Sequence, residues 1–136
     1  MSERPKVLLV DDDAGFLKAM SLLLEDAGYE VFTAQDGRSG LAAAMEHQPS
    51  VIVLDVIMRR PDEGFILARA LRAEPGLSNV RLLVLTAAGR HYQMLFEPDD
   101  LWLPVDRVLE KPVTGEELIA EISRLLAMQQ SSEGRK

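Results

Sequence analysis

Residues 7–10 and 51–54 are unbroken apolar runs, and residues 80–85 form a third that only Arg81 interrupts. That feature constrains the fold most, because a short strand apolar on both faces must be covered on both faces. Between the runs, apolar residues recur at helical spacing. Phe16, Leu17, Met20, Leu23, Leu24 and Ala27 precede a stop at Gly28, and Leu41, Ala44 and Met45 lie between Asp36-Gly37 and Pro49. Phe65, Ala68 and Leu71 precede the Pro75-Gly76 breaker. Residues 29–34 alternate as a strand, and residues 105–109 read as a shorter one. Thr114 and Glu117 have capping-box spacing ahead of a final helix striped by Leu118, Ile119, Ile122, Leu125 and Leu126. Strand alternating with helix predicts an α/β architecture, a doubly wound parallel sheet of five strands. A fourth helix belongs in residues 89–104, but Pro98, Asp99, Asp100 and Pro104 make it irregular or shortened. The chain therefore reads as one domain over 1–128 with a polar, frayed tail over 129–136.

Composition narrows the function. Fifteen Lys and Arg against 22 Asp and Glu give a net charge of −7. The densest basic spot is only the Arg59-Arg60 pair, so direct nucleic-acid binding is not expected. There is no cysteine, which excludes disulfides, thiolate metal sites and thiol nucleophiles. The first apolar run is too short for a signal core or a membrane span, so a cytoplasmic, membrane-free protein is expected.

Ligands of open α/β sheets bind beyond the carboxyl ends of the strands. Those ends carry Asp11-Asp12-Asp13, Asp55, Thr86 and Glu110-Lys111-Pro112. In a 2-1-3-4-5 strand order, Asp11, Asp12 and Asp55 would crowd into one cleft with Thr86 and Lys111 at its rim. Crowded carboxylates repel unless a cation joins them, and a hard divalent ion such as magnesium suits oxygen donors. Each residue alone has a plainer reading. The aspartates can be helix caps or turn residues, Thr86 a strand terminus, and Lys111 a solvated lysine. The joint placement at four strand ends favours a site.

The segments 7–13, 51–58, 82–87 and 108–113 resemble the four signature blocks of the response-regulator receiver family of two-component systems, and the likeness extends to Met128. It implies a flavodoxin-like fold and a chemotaxis-regulator-like, stand-alone switch, with a homodimer as one assembly it could form. It further implies that Asp55 is the phosphoacceptor, that Asp12 binds magnesium directly and Asp11 largely through water, and that the Ile57 carbonyl completes the metal set. Thr86 is then the switch hydroxyl, Ala87 offers a backbone contact to the phosphate, and Lys111 pairs with it ahead of a cis Lys111-Pro112 bond. The implied partners are a sensor histidine kinase or phosphotransfer protein and a downstream target protein. Apolar Ile57 and Ala88 beside the path of hydrolytic water imply slow-to-moderate self-dephosphorylation.

Three features depart from the family pattern. The loop from Met58 to Gly64 is about one residue longer, read as a tolerated insertion or as a place where Arg59 and Arg60 tune recognition. Thr86 and Lys111 are 111 − 86 = 25 residues apart, and the connection carries Tyr92, Phe96 and Trp102, either as core or as partner anchors. Val108 stands where the family usually has an aromatic residue, which places the usual threonine–aromatic coupling in doubt and points to output through residues 89–104. Two other functions compete: a non-phosphorylated binding module, disfavoured because the site residues are all present, and a metal-dependent phosphatase, disfavoured because Ile57 occupies the place of its acid/base aspartate.

Overall fold

Five parallel strands pair in the order β2-β1-β3-β4-β5 in a computed structural model that describes residues 4–55, 63–77, 79–86 and 105–134. In chain order the elements are β1 (Lys6–Val10), α1 (Ala14–Asp26), β2 (Glu30–Ala34), α2 (Gly37–His47), β3 (Val51–Asp55), α3 (Glu63–Ala73), a 3-10 turn (Pro75–Leu77), β4 (Arg81–Thr86), β5 (Arg107–Glu110) and a C-terminal helix (Gly115–Gly134). The doubly wound α/β sheet expected from the apolar runs is the one observed. The irregular fourth helix expected within 89–104 lies outside the described residues.

The period-two geometry of a strand explains how one sheet supports two cores. Val7, Leu9, Val51, Val53, Leu83 and Leu85 point to one face and pack with Leu17, Met20 and Leu24 of α1 and Leu118, Ile122 and Leu125 of the C-terminal helix. Leu8, Val10, Ile52, Leu54 and Leu82 point to the other and pack with Ala44 of α2 and Leu67, Ala68 and Leu71 of α3. Gly40 lets α2 come close here, since a Cβ on it would lie 3.1 Å from Leu67 and 3.2 Å from Val10.

Local signals set the ends of the elements. Asp13 and Asp36 cap α1 and α2, accepting from the backbone N–H of Phe16 and Ser39. Gly28 follows α1 at φ +105, a conformation that costs glycine little and an L side chain a good deal. Thr114 and Glu117 form the expected reciprocal box, with N–H···O distances of 2.9 and 3.1 Å.

Two boundaries differ from expectation. Strand β5 begins at Arg107, two residues late; the Asp106 N–H still donates to the Leu82 carbonyl at 2.9 Å, but its carboxylate turns onto β4 and α3. It accepts from the Leu82 N–H at 2.8 Å and pairs with Arg72 at 2.9 Å and Arg81 at 3.2 Å. The C-terminal helix continues to Gly134, past the point where a frayed tail was expected. Glutamine and glutamate are good helix formers, and Gly134 is the first breaker reached.

Candidate functional site

Strand register alone brings the acidic residues together. Val10 of β1 is paired with Leu54 of β3, so Asp11 and Asp55 are the next residues on adjacent strands. Asp55 in turn pairs with Leu85, and Thr86 with Glu110, which sets Thr86 and Lys111 one step further along the same edge. The Lys111 N–H donates to the Thr86 carbonyl at 2.7 Å, fixing the lysine's backbone against the end of β4. The Lys111-Pro112 peptide is cis, as expected.

Asp11 and Asp55 are only 2% and 5% exposed, and Thr86 is buried with them. Lys111 enters this space from the opposite rim. Its Nζ donates to Asp11 Oδ2 at 2.9 Å and lies 3.7 Å from Asp55 Oδ2. Asp11 also accepts the Asp13 N–H on Oδ1 at 2.9 Å, so both of its oxygens are held. Burial by itself pushes the Lys111 amine down. The hydrogen bond to Asp11, with the charges of Asp55, Asp11 and Asp13, outweighs that burial and holds its pKa above the ordinary 10.5. The lysine is therefore a fixed cation at any physiological pH.

Asp11, Asp12 and Asp55 each present a carboxylate oxygen, and the three atoms lie within 4.8 Å of one another. Oxygens bound to one magnesium at about 2.1 Å stand roughly 3 to 4 Å apart, so small rotations suffice to bring this trio onto one ion. The donor set is all carboxylate oxygen, which is what a hard divalent cation prefers. Asp12 is exposed and faces the mouth of the cleft, whereas the other two are buried.

Five of the seven residues expected at the site are thus brought together: Asp11, Asp12, Asp55, Thr86 and Lys111. Ile57 and Ala87 lie outside the described residues, as do Arg59, Arg60, Ala88, Tyr92, Phe96 and Trp102. Val108 is on β5 with its side chain exposed. Sequence reasoning missed Phe16, which it assigned only to the apolar stripe of α1. Its ring lies under the Lys111 ammonium, 4.5 Å from Nζ to centroid. The available signal was its place three residues after the capping Asp13, at the first turn of a helix that starts in the cleft.

A model of the response regulator receiver domain matches residues 7–123. The chain belongs to that family. The receiver is 35% identical over 122 residues to the DNA-binding dual master transcriptional regulator RpaA of Synechocystis sp., an alignment covering 90% of this chain and 49% of that protein. It is 31% identical over 121 residues to the alkaline phosphatase synthesis transcriptional regulatory protein PhoP of Bacillus subtilis, covering 89% and 48%. The chain spans about half the length of the curated relatives it matches. The chemotaxis response regulator CheY4 of Vibrio cholerae superposes with a TM-score of 0.78 at 33% identity, covering 90% of this chain and 98% of that one. Receiver domains of this family are signalling switches and not classic enzymes, and phosphorylation on aspartate and magnesium binding are general among them. Among the described residues, no helix is long and apolar enough to cross a membrane.

Proposed function

We propose that Asp55 accepts a phosphoryl group from a histidine kinase or phosphotransfer protein, and that the phosphorylated receiver signals by binding another protein. One observation carries this reading: the Lys111 ammonium lies 2.9 Å from Asp11 and 3.7 Å from Asp55 at the carboxyl edge of the sheet. In the step proposed, an Asp55 carboxylate oxygen attacks phosphorus. A new O–P bond forms while the donor's P–N or P–O bond breaks, and the leaving group departs with the electron pair. The product is an acyl phosphate. Asp11, Asp12 and Asp55 would hold magnesium with the Ile57 carbonyl, and the ion would supply charge neutralisation at the phosphoryl oxygens.

The chain's own groups do the rest. Lys111 contributes a positive charge that lies beside two of the carboxylates, 2.9 Å from Asp11 and 3.7 Å from Asp55. Thr86 offers a hydroxyl donor beside the new phosphate, and by the family pattern the Ala87 backbone N–H would be a second. Phosphorylation adds about −1.5 to −2 charge and strong acceptors. That gives Thr86 and its neighbours a reason to move toward Asp55, which is the proposed signal.

Acetyl phosphate with magnesium, followed by intact-mass measurement, tests this. The expected result is one added phosphoryl group on the wild type and none on Asp55→Asn. An adduct that persists in Asp55→Asn, or a wild type that gains none, would overturn the assignment. Turnover of phosphomonoesters without an adduct would instead indicate a phosphatase.

A further inference from the structure

Lys111 must keep its ammonium in the cleft although its side chain is 26% exposed and sits on a flexible four-carbon stem. Asp11 holds it at 2.9 Å, but that carboxylate also belongs to the group that fits a divalent cation. A lysine that relied on Asp11 and Asp55 alone would compete with the metal for the same oxygens. The Phe16 ring is a partner of another kind. It carries no charge, offers no ligand atom, and presents its electron-rich face 4.5 Å from Nζ, well inside the range of cation–π attraction.

Phe16 is itself held through both its backbone and its side chain. The Phe16 N–H donates to the Asp13 cap at 3.1 Å, and Asp13 in turn donates its N–H to Asp11 at 2.9 Å. The side chain packs, partly buried, against the core formed by α1, the C-terminal helix and one face of the sheet. Asp11, Asp13, Phe16 and Lys111 therefore close a loop of contacts that runs from β1 through the first turn of α1 and back to the end of β5.

We propose that Phe16 is a positioning residue whose ring seats the Lys111 ammonium over the phosphoryl site, so that the lysine stays in place when Asp11 and Asp55 turn to a metal ion. The proposal rests on the phosphoacceptor reading above, and leucine is the informative substitution because it keeps most of the volume and loses the aromatic face.

Two measurements on the intact chain test it. In the metal-free protein, the Lys111 ε-methylene protons, assigned by their loss in Lys111→Met, are expected upfield of the other lysines through the ring current. Phe16→Leu returns them to the ordinary position, and Phe16→Tyr leaves them shifted. With acetyl phosphate and magnesium, Phe16→Leu is expected to slow labelling of Asp55 about three- to tenfold, the size of a partly desolvated cation–π contact. Magnesium affinity is expected to fall modestly in Phe16→Leu, since the lysine then relies on Asp11 and Asp55 alone, and Phe16→Tyr to restore both affinity and rate to within about twofold. Wild-type Lys111 protons at the ordinary position would overturn the proposal even if Phe16→Leu did not fold. So would a Phe16→Leu rate equal to wild type, or a Phe16→Tyr rate as low as that of leucine. Failure of the wild type to label at all would sink the phosphoacceptor assignment instead, while the methylene shift would still report on the contact.

Discussion

Lys111 illustrates how one side chain can serve stability and function through the same contacts. Replacing it with methionine leaves Asp11, 2% exposed, without its 2.9 Å hydrogen bond and leaves Asp55 without the cation at 3.7 Å. Stranding a buried carboxylate costs on the order of 1–3 kcal/mol, so Lys111→Met should lower the metal-free melting temperature by several degrees. The pH dependence has a definite sign. The folded amine titrates above 10.5, so its contribution is fully present below the unfolded value and is lost as pH rises through the folded one. The difference in melting temperature between wild type and Lys111→Met should be flat from about pH 7 to 9 and shrink above about pH 10.5. A gap that closes already near neutrality would mean that the ammonium is not held as described. At this scale the sequence disclosed the residue types but not all their contacts. Asp11, Asp55, Thr86 and Lys111 were legible because strand ends in a parallel sheet converge on one edge. Phe16 was not, because an aromatic residue on an apolar helical stripe looks the same whether it faces core or cation.

Among the elements, β5 is one of the two edge strands, and Asp106 secures its start. That carboxylate accepts from the Leu82 N–H at 2.8 Å and pairs with Arg72 of α3 and Arg81 of β4, while its own N–H donates to the Leu82 carbonyl at 2.9 Å. Its side chain is 18% exposed, so the cluster is neither a solvated surface pair nor a fully buried one. Asp106→Ala leaves two guanidinium groups and a backbone N–H short of an acceptor. The variant should lose about 2–3 kcal/mol in chemical denaturation, between the ranges for exposed and buried pairs. The cluster sits at the amino end of β4, opposite the cleft, so labelling of Asp55 below the melting temperature should survive. Loss of labelling in folded Asp106→Ala would show that the two ends of the sheet are coupled. The parallel sheet and helix count within the described residues followed from apolar runs and periodicity, while the strand order came with the family resemblance. The late start of β5 followed from neither, because the Asp106 carboxylate takes partners distant in sequence, and nothing local announces Arg72 and Arg81. The helical course of residues 129–134 was likewise hidden, since a polar run without a breaker reads equally as tail or helix.

For the whole molecule the controlling quantity is the charge gathered at one edge. Within a chain of net charge −7, the described residues place three carboxylates within 4.8 Å and answer them with one lysine, so this group keeps a net negative charge in the folded state that the extended chain would disperse. Relief of that repulsion is available to any cation that binds the folded protein and not the unfolded one. Magnesium should therefore stabilise the receiver by RT ln(1 + [Mg]/Kd), about 2.7 kcal/mol at one hundred times Kd. For a domain of this size that corresponds to a rise in melting temperature of roughly 5 to 10 °C, increasing with the logarithm of concentration. Sodium chloride at matched ionic strength should produce little of the effect, because screening acts weakly on buried charge. Asp12→Asn separates repulsion from ligation. It removes the exposed member of the trio without disturbing the Lys111 contacts, so its metal-free melting temperature should be no lower than that of wild type, and its response to magnesium should be largely gone. A wild type indifferent to magnesium, or an Asp12→Asn variant that responds as fully as wild type, would mean that these carboxylates do not act on a common ion, and the chemistry assigned to Asp55 would lose its physical basis.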